Sequence, residues 1–393
     1  MAFYLVPSDY ATLLASTPPS FGQSWSSSTS STSTSSASVA LGDFEQTDWR
    51  PLQHVLVHAL ALHPQRTHDM AAARFCVDAA PQLIRDKLHR PNVSLYTNGP
   101  VLQRHLHYKG CNGDWRAACP GRPMVVIDVP DIDYQAWNLC DSLWGRCDVG
   151  DPTLLRVAGS PPLYRAHLRR CPLVTVPWLS HTRRPRTALD ALRAQPSRDI
   201  VIASAFSSSN HGFEAVKGWG GWRRALRNAC ALIGESARPD APSSRCVHVY
   251  QSMSGNGARQ AVELYARSLF CLMPPGDSIV RGAIVDALSV ACVPVFFHPA
   301  QQQLWPLHWN ASEASLLFDW TEPDAERNAT AVLLALVAFA EEGRDEARAL
   351  QQAAARAHQR MVYRRRDSRH SEHEGRPDAV DLLVGSLQSQ FAV

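Results

Sequence analysis

Short apolar runs alternate with helical patterns over residues 196–361, and this alternation is typical of a parallel, doubly wound α/β domain. The strand-like runs are rich in β-branched or other apolar residues and lie at residues 199–206, 246–251, 269–273, 293–297 and 316–318. Patterns of helical period lie at residues 222–233, 260–267, 281–290, 324–340 and 346–361. We therefore predict one complete α/β domain over residues 196–361.

The pattern is weaker before residue 196, where it predicts a first α/β domain over residues 48–195. Apolar segments broken by Pro, Gly and Asn lie at residues 51–62, 93–96, 124–129 and 173–179. Residues 182–196 are polar and rich in Arg, as expected of a linker. The boundary between the two domains is therefore expected near Pro196.

Both ends of the chain are expected to lie outside these domains. Residues 24–38 are almost entirely Ser and Thr, a composition that cannot bury enough apolar surface to offset its ordering entropy. Residues 1–47 are therefore expected to be a disordered segment. Residues 362–393 are expected to be a tail that contains a helix over residues 378–390.

Composition narrows the class of protein. At 393 residues with 45% hydrophobic content, the chain is long enough for two packed cores. The formal net charge of only +3 provides no large source for the phosphate attraction that dominates nucleic-acid binding, so no nucleic-acid partner is expected. No apolar run approaches the ~18 residues that would span a bilayer, and no signal segment is visible.

The cysteines and the glycosylation sequons leave the compartment open. The chain has ten cysteines, many for a cytosolic protein. Cys230 and Cys246 are expected to pair if this domain is lumenal, whereas Cys271 and Cys292 are expected to be buried small apolar side chains. Sequons for N-glycosylation begin at Asn92, Asn310 and Asn328, but such tripeptides also arise by chance.

The loop after the strand at residues 269–273 carries the main chemical signal. In open α/β sheets, ligands bind beyond the carboxyl ends of strands, where loops lead into helix amino termini. Arg281 adds a permanent positive charge there, and a nucleoside diphosphate is the natural guest. Asp286 could accept hydrogen bonds from ribose hydroxyls. The loop residues assigned to this site are Pro275, Gly276, Asp277 and Ser278. Taken alone, the same residues also fit a simple turn with surface ion pairs.

A longer ordered pattern supports the functional interpretation. The segments YARSLFCLMPPGDS at residues 265–278 and ACVPVFFHP at 291–299, with Arg281 and Asp286 between them, resemble the exostosin family of glycosyltransferases. The likeness is greatest to the plant and algal cell-wall branch that includes xyloglucan galactosyltransferases. It extends, less strongly, to WRRALRNAC at residues 222–230 and VPW at residues 176–178.

The resemblance implies an α/β fold of two Rossmann-like domains facing across a cleft, the GT-B type. The second domain would hold the sugar nucleotide and the first the acceptor. It also implies inversion at the anomeric carbon, UDP-galactose as the leading donor, and no essential metal or other cofactor. The resemblance also implies that the protein works in the Golgi lumen behind an amino-terminal anchor, and that it assembles with other glycosyltransferases.

The general base for inverting transfer has several candidates. Asp128 and Asp131 follow the apolar run at residues 124–129, although both equally fit turn and cap positions. His181 is another candidate, because the unperturbed histidine pKa lies near neutrality. Weaker donor-site candidates are grouped around the strand at residues 199–206 and could also be ordinary solvated side chains: Asn210, Lys217, Arg223 and Arg224.

Two hypotheses of different class follow. The first is an inverting glycosyltransferase that moves a galactose-like sugar from a UDP-sugar to a glycan hydroxyl, with nucleotide sugar and glycan as its partners. The second is a catalytically impaired relative that binds glycans or partner transferases as a scaffold. Its motivation is the segment at residues 121–125, GRPMV, where the cell-wall branch carries a Gly-Arg-Asp-His-Phe-like sequence.

Overall fold

The computed structural model describes the chain in separate stretches. They are residues 2–5, 55–56, 58–78, 120–127, 154–158, 173–181, 198–206, 219–235, 244–249, 255–276, 279–322, 324–363 and 377–391. The described residues group into two compact units. The first combines residues from Met1–Pro19, Trp49–Val176 and Tyr363–Val393, and the second includes Pro177–Val362.

The first unit is built on a six-stranded parallel sheet. Its strands are β1 (Phe3–Leu5), β2 (Arg66–Thr67), β3 (Phe75–Asp78), β4 (Met124–Ile127), β5 (Leu154–Ala158) and β6 (Leu173–Thr175). Their spatial order is β2-β1-β3-β4-β5-β6, and every neighbouring pair is parallel.

Strand β1 corrects the expectation that residues 1–47 are disordered throughout. Phe3–Leu5 lies between β2 and β3, with Phe3 fully buried and stacked on Phe75 at 5.8 Å. This strand was missed because three residues are too few to show an alternating pattern. The Ser/Thr tract at residues 24–38 lies outside the described residues.

The second unit is built on a five-stranded parallel sheet. Its strands are β7 (Ile200–Ala205), β8 (Ser244–Val249), β9 (Ser268–Met273), β10 (Val293–Phe296) and β11 (Leu316–Leu317), in the order β11-β10-β9-β7-β8. Residue pairs such as Val295 with Leu272 set the register of the two central strands β10 and β9. Both units therefore have parallel α/β sheets, and the prediction of two Rossmann-like domains is confirmed.

Seven α-helices lie wholly within single described stretches. They are α1 (Trp219–Glu235), α2 (Gly255–Ala266), α3 (Gly282–Ser289), α4 (Ala311–Ala314), α5 (Ala329–Glu342), α6 (Arg344–Gln359) and α7 (Ala379–Gln390). Every residue of helix α3 from Ala283 to Ser289 is buried, as expected for a helix inside a core, and Asp286 and Ser289 are its buried polar residues. The helix predicted over residues 324–340 begins later because Ala325–Asn328 forms a 3-10 turn. No helix in the described stretches is long and apolar enough to cross a membrane.

Two disulfides lie in the second unit. Cys230 of α1 is bonded to Cys246 of β8, with Cα atoms 5.3 Å apart, which matches the pairing expected for a lumenal domain. Cys271 and Cys292 are fully buried, but they are not free apolar side chains as expected, because they form the second disulfide. The sequence alone could not pair them, since only the parallel alignment of β9 with β10 brings them together.

The strand order of the second unit creates a topological switch point between β7 and β9. After β7 the chain adds β8 on one side of it and then returns to add β9 on the other side. At such a point the connections leave the sheet in opposite directions and open a crevice beyond the carboxyl ends of the strands. In this chain those ends are Ala205 of β7 and Met273 of β9.

Candidate active site

Arg281 connects the two strands at the switch point. It immediately precedes α3 and has an extended backbone, with φ −140° and ψ 136°. Its guanidinium donates hydrogen bonds to the carbonyl of Ala205 at the end of β7 and to that of Pro274 just beyond β9, each at 3.3 Å. The guanidinium carbon also lies 5.9 Å from the centre of the Phe206 ring. A half-buried cation is therefore fixed where a parallel α/β sheet binds ligands.

A second arginine, Arg223, contacts the backbone of the loop between β9 and α3. Arg223 of α1 is only 6% exposed, and its Nε donates to the carbonyl of Pro275 at 3.0 Å. A methyl group on Gly276 would overlap the Arg223 guanidinium, so the loop backbone and this cation are in close contact. Glycine at position 276 thus permits a close approach, whereas a larger residue would displace the Arg223 guanidinium.

The amino terminus of α3 adds to the positive potential of the loop. The first backbone N–H groups of a helix point outward and carry the positive end of its dipole. Arg281 at the N-cap makes no side-chain bond to these groups. Two guanidiniums and a helix terminus therefore converge on one short loop, an arrangement that suits a polyanion such as a diphosphate.

Asp286 and His181 are 105 residues apart in sequence, but the structure brings them into contact. The Asp286 Oδ2 atom lies 2.7 Å from His181 Nδ1, and its Oδ1 accepts from the His181 backbone N–H at 2.7 Å. Ser180 Oγ also donates to Oδ1 at 2.9 Å. The side chains of Asp286 and His181 are 4% and 12% exposed. Asp286 therefore fixes the orientation of the histidine ring, and its proposed contact with ribose stays a prediction.

His298 has a structural contact at the end of β10. It caps the 3-10 turn Pro299–Gln303, where its Nδ1 accepts from the Ala300 N–H at 3.1 Å. Burial lowers the pKa of His298, and Asp319 opposes this shift more weakly. The neutral ring is therefore favoured, as its acceptor role requires.

The structure brings only some of the predicted site residues together. Pro275, Gly276 and Arg281 lie together at the switch point, whereas Arg224 is exposed on α1. Of the two weaker arginine candidates, Arg223 is the one that contacts the loop, and helical spacing distinguishes it from Arg224 because it shares a buried stripe with Leu226 and Cys230. The remaining predicted residues lie outside the described stretches: Asp128, Asp131, Asn210, Asp277 and Ser278.

Among the described residues, no group of three or more His, Cys, Asp or Glu side chains is positioned to hold a metal ion.

Comparison with known proteins places these residues in a family context. Residues 169–330 match the Exostosin GT47 domain. The chain is 29% identical over 177 residues to the probable xyloglucan galactosyltransferase GT17 of Arabidopsis thaliana, a match covering 44% of this chain and 36% of that protein. It is 40% identical over 58 residues to the xyloglucan galactosyltransferase MUR3 of the same plant, covering 14% of this chain and 9% of that protein. The matches span about a third or less of these relatives.

A solved structure was also found. The pneumococcal O-GlcNAc transferase GtfA, in complex with UDP and GlcNAc, aligns with a TM-score of 0.37 and 10% sequence identity. The alignment covers 80% of this chain and 56% of that one.

Proposed function

Because this chain carries an exostosin GT47 domain related to those of the xyloglucan galactosyltransferases, we propose that it is an inverting glycosyltransferase. It transfers a galactose-like sugar from a UDP-sugar to a hydroxyl of a cell-wall glycan. The second unit binds the donor nucleotide at the loop between β9 and α3. The transfer proceeds without an essential metal.

The position of Arg281 is the observation that carries the proposal. Its guanidinium bonds to the carboxyl ends of both strands at the switch point, and in open α/β sheets this point is the usual ligand crevice. A planar guanidinium also offers two parallel donors to phosphate oxygens. A leaving diphosphate bound here would have a fixed cation beside the oxygen that gains charge.

The chemistry requires one bond to form and one to break. The acceptor oxygen attacks the anomeric carbon, and the bond from that carbon to the diphosphate oxygen breaks on the opposite face. The bonding electrons leave with UDP, whose new charge Arg281 and Arg223 stabilise. The proton of the acceptor hydroxyl passes to a general base.

His181 is the best-positioned base candidate among the described residues. Its Nδ1 lies against the Asp286 carboxylate at 2.7 Å, so in the neutral ring Nδ1 carries the proton and Nε2 is the acceptor nitrogen. A buried carboxylate beside a histidine also favours the imidazolium formed when the ring takes a proton. Asp128 and Asp131 remain alternative candidates for the same role.

The test is donor turnover with an arginine control. We expect the purified protein to release UDP from UDP-galactose, faster when xyloglucan oligosaccharides are added. Arg281→Ala should lower the rate by about 100-fold, as expected for losing a charge-stabilising donor. Arg259→Ala removes an exposed arginine that pairs with Glu263 on α2, and it should leave the rate unchanged.

Other outcomes of this experiment are equally informative. Nucleotide binding without turnover of any UDP-sugar would support the impaired scaffold instead. Turnover that survives in Arg281→Ala would contradict the assignment of the donor site to this loop. If the protein neither binds nor turns over UDP-sugars, both functions are overturned.

The proposal includes a lumenal setting in the Golgi and assembly with other glycosyltransferases. The two disulfides of the second unit support the lumenal part, since structural disulfides persist in oxidising compartments. Non-reducing mass spectrometry of protein from the native source should recover the peptide pair that contains Cys230 and Cys246. Recovery of both cysteines in alkylated form only would contradict a lumenal location.

A further inference from the structure

Gln301 is a fully buried polar residue that the mechanism above does not use. It lies in the 3-10 turn Pro299–Gln303 after β10, and none of its surface is exposed. Its side-chain Nε2 donates to the carbonyl of Met273 at 2.9 Å and to that of Ile279 at 3.2 Å. Its Oε1 accepts from the backbone N–H groups of Phe297 at 3.1 Å and His298 at 3.2 Å.

The four partners of the Gln301 side chain lie at the two ends of the loop between β9 and α3 and just after β10. Met273 is the last residue of β9, and Ile279 lies just before Arg281, so the two carbonyls flank the donor loop. Phe297 and His298 directly follow β10. One carboxamide therefore joins both sides of the donor loop to the rigid end of the neighbouring strand.

A carboxamide suits this position better than other side chains. It has two N–H donors and an oxygen with two lone pairs, and all four are used here. Glutamate would keep the two acceptor interactions but lose both donors to the loop. Methionine would fill a similar volume and lose all four bonds, which leaves three buried backbone groups and the part-buried N–H of His298 without this partner.

We propose that Gln301 is a positioning residue for the donor diphosphate, an inference that rests on the proposed function. It does not contact the nucleotide. It fixes the separation of Met273 and Ile279, the described residues at the two ends of the loop, and thereby the placement of Arg281. Ligand affinity depends on this fixed shape, because a loop that must be ordered on binding reduces the affinity.

The experiment compares two glutamines of the same turn. Gln301→Met removes the contacts, whereas Gln303→Met changes an exposed residue two positions along the chain. Titration calorimetry with UDP, at a temperature where both variants are folded, should give a Kd about 10-fold to 100-fold higher for Gln301→Met, in line with a small misplacement of a binding group. Gln303→Met should bind as the wild type does.

Hydrogen exchange provides a second measurement at the same site. We expect faster exchange in peptides that cover residues 279–281 and 297–298 of Gln301→Met, and UDP should restore less protection than in the wild type. If Gln301→Met does not fold, Gln301→Glu serves instead, because it retains acceptors for Phe297 and His298 while losing the donors to the loop. For that variant the same rise in Kd is expected.

The outcomes separate this inference from the function on which it rests. A lower melting temperature with an unchanged Kd for UDP would show that Gln301 only stabilises the fold, and it would overturn the positioning role alone. A wild-type protein without affinity for UDP or UDP-sugars would overturn the proposed function and the positioning role with it.

Discussion

The contact between Gly276 and Arg223 leads to a prediction that depends on the loop geometry alone. Arg223 supplies the atoms that a methyl group at position 276 would approach, namely its terminal nitrogen and, at 3.5 Å, its Cζ. The backbone of Gly276 is outside the left-handed region, so alanine is allowed there by conformation. Gly276→Ala should therefore act only by displacing the Arg223 guanidinium.

The expected energies follow from this displacement. The Arg223 bond to the Pro275 carbonyl is buried and its donor is charged, so its loss should cost about 2 kcal/mol of unfolding free energy. In an Arg223→Ala background the obstacle is absent. There, Gly276→Ala should be neutral or stabilise by about 0.5 kcal/mol, because alanine lowers the entropy of the unfolded chain. The two changes should thus be coupled by about 2 kcal/mol or slightly more.

Urea unfolding of the wild type, the two single variants and the double variant measures this coupling. Circular dichroism and tryptophan fluorescence should report the same transition, which checks two-state behaviour. If Gly276→Ala lowers the unfolding free energy equally in the wild-type and Arg223→Ala backgrounds, the displacement of Arg223 is not the cause of its effect.

Two further predictions concern stability. Burial lowers the pKa of His358 to about 4, and Asp286 opposes this shift more weakly. The unfolded chain takes up this proton below about pH 6.5, so the unfolding free energy should fall by about 2 kcal/mol between pH 6.5 and 5. Urea unfolding should show this loss in the wild type and not in His358→Leu. Arg198 donates hydrogen bonds to the carbonyls of Ala266 and Val290, at the ends of α2 and α3. Arg198→Met should lower the unfolding free energy by about 2 kcal/mol in the same assay. An unchanged unfolding free energy would contradict a stabilising role for these bonds.

The five strands of the second unit and its longer helices were predictable because each carries a clear local pattern, whereas the four-residue helix α4 was not predicted. Strands β9 and β10 are continuous apolar runs, and the Pro-Pro-Gly loop between β9 and α3 separates them from a helical pattern. The structure places the strand ends within a residue or two of the predicted ones for these elements. Local signals of this kind also located Arg281 at the start of α3.

Contacts between distant residues could not be predicted in the same way. Asp286 contacts His181 across 105 positions, and Gln301 reaches Met273 across 28. Neither pair has a local spacing that indicates proximity, since both contacts join elements that are distant in sequence. The capping pair of His298 with Gln301 is an exception, because a polar residue followed three positions later by Gln is a known helix-start signature.

The central claim is that the loop and Arg281 hold the diphosphate of the donor. A crystal structure of the protein with UDP tests this claim directly. We expect oxygens of the β-phosphate about 3 Å from the Arg281 guanidinium and from backbone N–H groups between Gly276 and the first turn of α3. UDP bound away from the carboxyl ends of β7 and β9, with no phosphate oxygen within hydrogen-bond distance of the Arg281 guanidinium, would contradict this assignment.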